Sequence, residues 1–199
     1  MAVRKRLKAA DRRRQILQVA TPLFTEGGLD SVSTSEIARR AGVTQPVLYQ
    51  HFASKEDLYA DAVLTPLSAH LDVLVERVRG AVVAEPDREG RLARIEEHWI
   101  ATMVEAGPFL GAVMFARRES AAVQYRAVVT PRLREICDLL RQHVLPEGMP
   151  EDAAWRYVRA VFGMNLLIVF DAMQRDEAPD VTALARDLNL LLRDGQSGL

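Results

Sequence analysis

Between residues 33 and 55 the chain sets hydrogen-bonding side chains at short intervals: Ser33, Thr34, Ser35, Thr44, Gln45, Tyr49, His51 and Lys55. These residue types make contacts to nucleic acid. A glutamine amide carries a donor beside an acceptor, the pair that matches N6 and N7 of adenine in the major groove, and Gln45 is so equipped. Pro46 and Val47 follow it with apolar surface suited to a thymine methyl. Tyr49 and His51 can donate to phosphate oxygens, as can Ser33, Thr34 and Ser35 from hydroxyl and backbone. Lys55 falls in the first turn of a helix, where its charge adds to the exposed N–H groups. Plainer uses exist for several of them. Ser33 and Thr44 could serve only as helix caps, Tyr49 as a packing residue and His51 as a surface histidine.

Catalysis has no comparable basis. The chain has no glycine-rich phosphate loop, no HExxH pair and no nucleophile motif. His98, His143 and the carboxylates form no recognisable constellation. The single cysteine, Cys137, excludes an intrachain disulfide, lacks metal-ligand spacing and reads as a small apolar core residue. No enzymatic activity, cofactor or metal is expected.

The elements that must position the polar run are short helices. Ile16, Leu17, Ala20, Leu23 and Phe24 share one face of a first helix. Asp11 can cap its start and Gly27-Gly28 can end it, with Pro22 a local kink or a tolerated defect inside. Ser33-x-x-Glu36 is a capping box opening a second helix, whose buried face is Ile37, Ala38 and Ala41. Gly42 supplies the turn, and Val43 follows as an apolar plug. Thr44 caps a third helix with Pro46 in its first turn, and Leu48 and Phe52 point inward. Ser54 caps a fourth, with Asp57 placed to complete its box. Two short helices joined by such a turn can lay the second in a DNA major groove.

Beyond residue 60 the chain stays helical, with breaks at Glu85-Pro86-Asp87, Gly107-Pro108, Pro146 to Pro150 and Ala178-Pro179-Asp180. These delimit helices of about 55–84, 88–106, 109–143, 151–175 and 180–193, with kinks at Thr65-Pro66 and Thr130-Pro131.

Charge is unevenly spread along the 199 residues. The whole chain carries a formal net charge of −1, yet residues 1–60 hold ten Lys/Arg against six Asp/Glu. A basic front on an acidic back suits a protein that meets an acidic polymer at one end. Arg4, Lys5, Arg6 and Lys8 form an arm that either adds phosphate or minor-groove contacts or is a solubilising tail. No signal-peptide pattern precedes the charged stretch Asp11 to Arg14, and the apolar run Val161 to Phe170 is too short to span a bilayer. A cytoplasmic protein without membrane association is expected.

The stretch IARRAGVTQPVLYQHFASKEDLY, with ILQVATPLFTEGGLDSVS before it, resembles the amino-terminal domain of the tetracycline-repressor (TetR) family over about residues 12–60. The Ile-Ala, Ala-Gly-Val, Leu-Tyr, His-Phe and Ser-Lys elements occur together at that family's spacing. The resemblance implies an all-α homodimer of about nine helices per chain. A three-helix DNA-binding domain, here residues 1–54, would precede a ligand-binding and dimerisation domain, here 55–199. It implies a repressor of a palindromic operator, released by a small molecule. By resemblance Gln45 and Pro46 fall at base-reading positions, with Ser35 a weaker candidate. Thr34, Thr44, Tyr49, His51 and Lys55 fall at backbone-contact positions. Many members carry glycine where this chain has Pro46, so their base preference does not transfer.

The dimer surface is expected, by resemblance, on the last two helices. Candidates are Trp155, Val158, Phe162 and Leu166 on one, and Val181, Leu184, Leu188 and Leu191 on the other. Trp99, Met103, Phe109, Met114, Phe115, Tyr125, Met164 and Phe170 would suit an apolar small molecule, and equally an ordinary core. His98, Glu105 and Arg118 are possible polar anchors that nothing singles out. The competing reading from another class is a helical ligand-binding or scaffolding protein without sequence-specific DNA binding.

Overall fold

The computed structural model describes residues 9–116, 118–175 and 180–187, and these are helical with no strand among them. The helices are α1 (Ala9–Ser31), α2 (Thr34–Arg40), α3 (Gln45–Tyr49), α4 (Lys55–Tyr59), α5 (Thr65–Ala84), α6 (Arg88–Met114), α7 (Arg118–Gln124), α8 (Thr130–His143) and α9 (Glu151–Gln174). A further helical stretch covers 181–187. The described residues divide into two compact units. One runs to Leu67 and includes Pro108–Tyr125; the other comprises Ser68–Gly107 and the chain from Arg126.

The first unit is built on α1. Ile16, Ala20 and Phe24 are buried along one stripe of it, against which α2 and α4 pack. Pro22 is carried without a break; the dihedral interruption comes at Gly28, with φ 72°. The turn after α2 passes through Gly42 at φ 63°, and Val43 N–H closes it onto Ala38 O at 2.9 Å. That positive φ is open to glycine and costly for side chains with a Cβ.

Helical structure runs on from α4 through a π-turn at Ala60–Leu64 into α5. Pro66 lacks the N–H that would serve Ala62 O, and that carbonyl accepts from Thr21 Oγ1 at 3.3 Å. A second π-turn, Tyr125–Val129, precedes the other Thr-Pro pair at the start of α8. Both expected kinks are thus single wide turns placed just before a proline.

One expected break is absent. Helix α6 passes straight through Gly107-Pro108 and ends at Met114. Met103, Ala106, Leu110 and Val113 are buried on either side, and this packing offsets the one backbone bond a proline removes. The segment expected as one helix over 109–143 is instead interrupted after Met114 and resumes at α7.

In the second unit α8 packs on α9. Leu133, Ile136, Cys137 and Leu140 from α8 are buried, as are Val158, Val161, Phe162 and Val169 from α9. Arg134 lies over the Trp155 ring at 4.2 Å. By length and composition, two stretches could cross a bilayer, Lys55–Ala84 and Glu151–Ala172. The expectation that nothing is long enough held for a continuous apolar run, not for these whole helices. In this fold their apolar faces supply core.

Candidate nucleic-acid interface

The polar run of residues 33–55 forms a connected surface across α2 and α3. Ser33 takes an extended conformation at the start of α2, and its Oγ accepts from Glu36 N–H at 3.1 Å. The reciprocal half of that capping box is replaced. Glu36 is held by Arg39, through Nε at 2.8 Å and Nη2 at 2.7 Å, and by Arg40 Nε at 2.6 Å. Arg39 and then Arg40 hold its carboxyl down at about 2. Two arginines at i+3 and i+4 therefore win the carboxylate from the helix end, and the three side chains together keep one net positive charge. Ser33 Oγ and Ser35 Oγ lie 2.6 Å apart.

Thr44 occupies the cap position of α3 in extended conformation, but its hydroxyl makes no capping bond. Pro46 in the first turn removes one of the N–H groups a cap would serve. The Thr44 hydroxyl is left exposed. Leu48 and Phe52 are buried, so α3 turns Gln45, Pro46 and Tyr49 outward.

Thr34 joins the two helices. Gln45 Nε2 donates to Thr34 Oγ1 at 3.2 Å, and Thr34 Oγ1 lies 3.2 Å from Tyr49 OH. Gln45 and Tyr49 sit one turn apart on α3, so both reach the amino end of α2. Val47 and His51 are half-buried beside them. Lys55 opens α4, where its Nζ donates to Asp30 O at 3.4 Å. Ser54 Oγ accepts from Asp57 N–H at 3.0 Å, while Asp57 Oδ2 accepts from Ala53 N–H at 3.0 Å. That box is complete, displaced by one residue at its return bond.

Residues that sequence reasoning passed over hold this surface in place. Gln15 Nε2 donates to Ala41 O at 2.8 Å and fixes the end of α2 to α1. Arg13 lies over the Phe52 ring at 4.3 Å and pairs with Asp61. Tyr59 is buried edge-on against Phe24, with ring centroids 5.2 Å apart. Its hydroxyl lies 3.3 Å from both Ala112 O and Gln124 Oε1. Burial lifts that phenol to about 12. Neither stood out in the sequence: Arg13 is the middle one of three consecutive arginines, and nothing marks Tyr59.

Residues 16–62 match the model of the family described as bacterial regulatory proteins, tetR family. Those residues form a TetR-family amino-terminal domain. The chain is 45% identical over 87 residues to the HTH-type transcriptional activator FasR of Mycolicibacterium smegmatis, across 44% of this chain and 38% of FasR. It is 38% identical over 71 residues to the HTH-type transcriptional repressor KstR2 of Mycobacterium tuberculosis, across 36% of this chain and 34% of KstR2. The matches thus span under two fifths of the length of these relatives. The fold extends further: FadR of Bacillus subtilis, solved in complex with stearoyl-CoA, superposes with TM-score 0.65 at 18% identity, over 90% of this chain and 96% of that one.

Outside the TetR-family DNA domain the candidate residues scatter. Trp99 and Met103 are buried and Met164 and Phe170 half-buried, all in the second unit. Phe109 and Tyr125 are half-buried and Met114 and Phe115 exposed, all in the first. On α9, Val158 and Phe162 are 0% and 4% exposed within the single chain, while Trp155 and Leu166 are half-buried. The outward side of that helix carries Ala160, Gly163 and Leu167. Val181 and Leu184 are half-buried, behind an Asp180 cap whose Oδ1 accepts from Ala183 N–H at 3.0 Å. Leu188 and Leu191 lie outside the described residues, as does the basic arm. Glu105 is exposed, 3.5 Å from His70, and the side chain of Arg118 is outside the described set. His98 is half-buried, and burial, then Arg77 and Arg94, lower its pKa.

Proposed function

We propose that this chain is a transcriptional regulator that binds a palindromic DNA operator as a homodimer and releases it when a small, mainly apolar ligand enters the helical body. The observation that supports this reading is the Thr34–Gln45–Tyr49 network, in which the Thr34 hydroxyl links the Gln45 amide to the Tyr49 hydroxyl along one outward surface of α2 and α3. Gln45 is the proposed reader of adenine, with Pro46, Val47 and Ser35 beside it. Ser33, Thr34, Thr44, Tyr49, His51 and Lys55 are the proposed phosphate contacts.

Two copies would place their α3 helices one helical turn of DNA apart, about 34–36 Å, or a multiple of it. Ala160, Gly163 and Leu167 on the open side of α9 support a partner there, since small residues allow close approach and Leu167 is 68% exposed. Trp155 and Leu166 would border that contact; Val158 and Phe162 belong to the chain's own core. Repression is the mode proposed, as KstR2 is named. The stearoyl chain held by FadR supports an apolar body for the ligand.

Fluorescence polarisation with DNA from the chain's own upstream region tests the reading. Sequence-selective binding, weakened by salt, is expected. Affinity that responds to salt and ignores sequence would overturn it in favour of a helical ligand-binding or scaffolding protein.

A further inference from the structure

In the second unit Glu96 is a buried carboxylate that pairs with no cation among the described residues. Glu96 on α6 is 4% exposed and Asn165 on α9 is 1% exposed. Asn165 Nδ2 donates to Glu96 Oε1 at 2.8 Å and to Val161 O at 3.0 Å, which uses both amide hydrogens. Asn165 Oδ1 is buried with no hydrogen-bond partner. The arginines nearest Glu96 in sequence bond elsewhere: Arg94 to Glu85 and Glu97, Arg91 to Glu85 O and His143 O. Burial raises the Glu96 carboxyl to about 6, with the Asn165 bond working against the rise. Near pH 7.5 it is therefore mostly ionised. Trp99 follows one turn later on α6, buried, with its indole Nε1 also unpartnered.

A buried anion beside an unused acceptor is complementary to one chemistry in particular. Two acceptors, one of them charged, call for a cationic donor. A carboxylate head group would set like charges together, and a plain hydrocarbon would leave both acceptors unmet. Trp99 adds an aromatic surface of the type that attracts ammonium groups.

We propose that Glu96 and Asn165 are the anchor for an amphiphilic amine: a protonated nitrogen on an apolar body, donating to the Glu96 carboxylate and to Asn165 Oδ1. The proposal rests on the reading that the body takes a small apolar ligand, and it names that ligand's head group. The plain competitor is that the pair only ties α6 to α9.

Titration calorimetry of the full chain at pH 7.5 with octylamine, 1-octanol and octanoate separates these. Octylamine is expected to bind roughly tenfold tighter than 1-octanol, the scale of one charged hydrogen bond, with octanoate weakest. Glu96→Gln keeps the shape and should bring octylamine down to the affinity of 1-octanol, leaving 1-octanol unchanged. Glu97→Gln, whose carboxylate pairs with Arg94, should alter neither. If octylamine is no tighter than 1-octanol, or if Glu96→Gln binds it as the unaltered chain does, the pair is a structural tie and the anchor is refuted. Binding of octanoate or 1-octanol in preference to octylamine removes the anchor while the sensing role stands. Binding of none of the three removes both.

Discussion

Gln45 Nε2 donates to Thr34 Oγ1 across 3.2 Å, from the first residue of α3 to the first of α2. The side chain proposed to read a base is thus aimed by a residue of the preceding helix. Gln45→Ala should lower discrimination at one base pair by about 1–3 kcal/mol. Thr34→Val keeps the amide and removes its support, so it should lose part of that discrimination with little change in folding stability. Polarisation with single-base operator variants measures both. Equal weakening on every sequence by Gln45→Ala would exclude base reading.

Lys55 acts differently. Among the described residues its Nζ reaches a backbone carbonyl, Asp30 O at 3.4 Å, and no carboxylate, so its charge is available to a phosphate. Lys55→Ala should weaken all DNA alike and flatten the slope of log affinity against log salt by about one unit. An unchanged slope would show that Lys55 meets no phosphate.

The turn between α2 and α3 depends on backbone rather than side-chain space. A Cβ at Gly42 would meet nothing within 4 Å, yet φ is 63°. Gly42→Ala should cost about 1–2 kcal/mol, the penalty for an L-residue in left-handed conformation. Urea denaturation of the two proteins gives the difference directly; no loss would mean the turn can adopt another conformation.

Local chemistry explains why this turn was legible in the sequence. Gly42, Ser33 and Ser54 act on residues at most five positions away, and the structure uses each as its type suggests. Glu36 was half misread for a local reason too, because Arg39 and Arg40 compete for the same carboxylate. Gly107-Pro108 looked like a break, but burial of Met103 and Leu110 overrides a proline, and burial is not written in the dipeptide. Glu96 and Asn165 are 69 residues apart. The available hint was an asparagine inside the apolar run VFGMNLLIVF, and nothing in the sequence said what it would meet.

Tyr59 ties α4 to the far part of its own unit. Its buried hydroxyl has Ala112 O and Gln124 Oε1 at 3.3 Å, while its ring packs on Phe24. Tyr59→Phe retains the ring and strips the donor, so stability should fall by about 1–2 kcal/mol. Thermal or urea unfolding reads this. A neutral result would show that water replaces the hydroxyl at no cost.

Glu96 makes stability depend on pH in an unusual direction. Its folded pKa, about 6, lies above the ordinary 4.5. The folded chain therefore binds this proton more tightly than the unfolded chain. The stabilisation is full below about pH 4.5 and is lost as pH rises through about 6. Tyr157 feels the Glu96 charge but is itself pushed up to about 12, first by burial, so it does not titrate in this window. Glu96→Gln imitates the uncharged, protonated acid, and its side-chain oxygen can still accept from Asn165 Nδ2. At pH 7.5 the variant should be more stable than the unaltered chain by roughly 2 kcal/mol, the energy that separates a carboxyl at about 6 from one at 4.5. The gap should close between pH 6 and 4.5. Unfolding curves of the two proteins across that range isolate the group, because every other titrating residue is common to both. A gap that stays constant with pH would show that Glu96 does not carry the pH dependence.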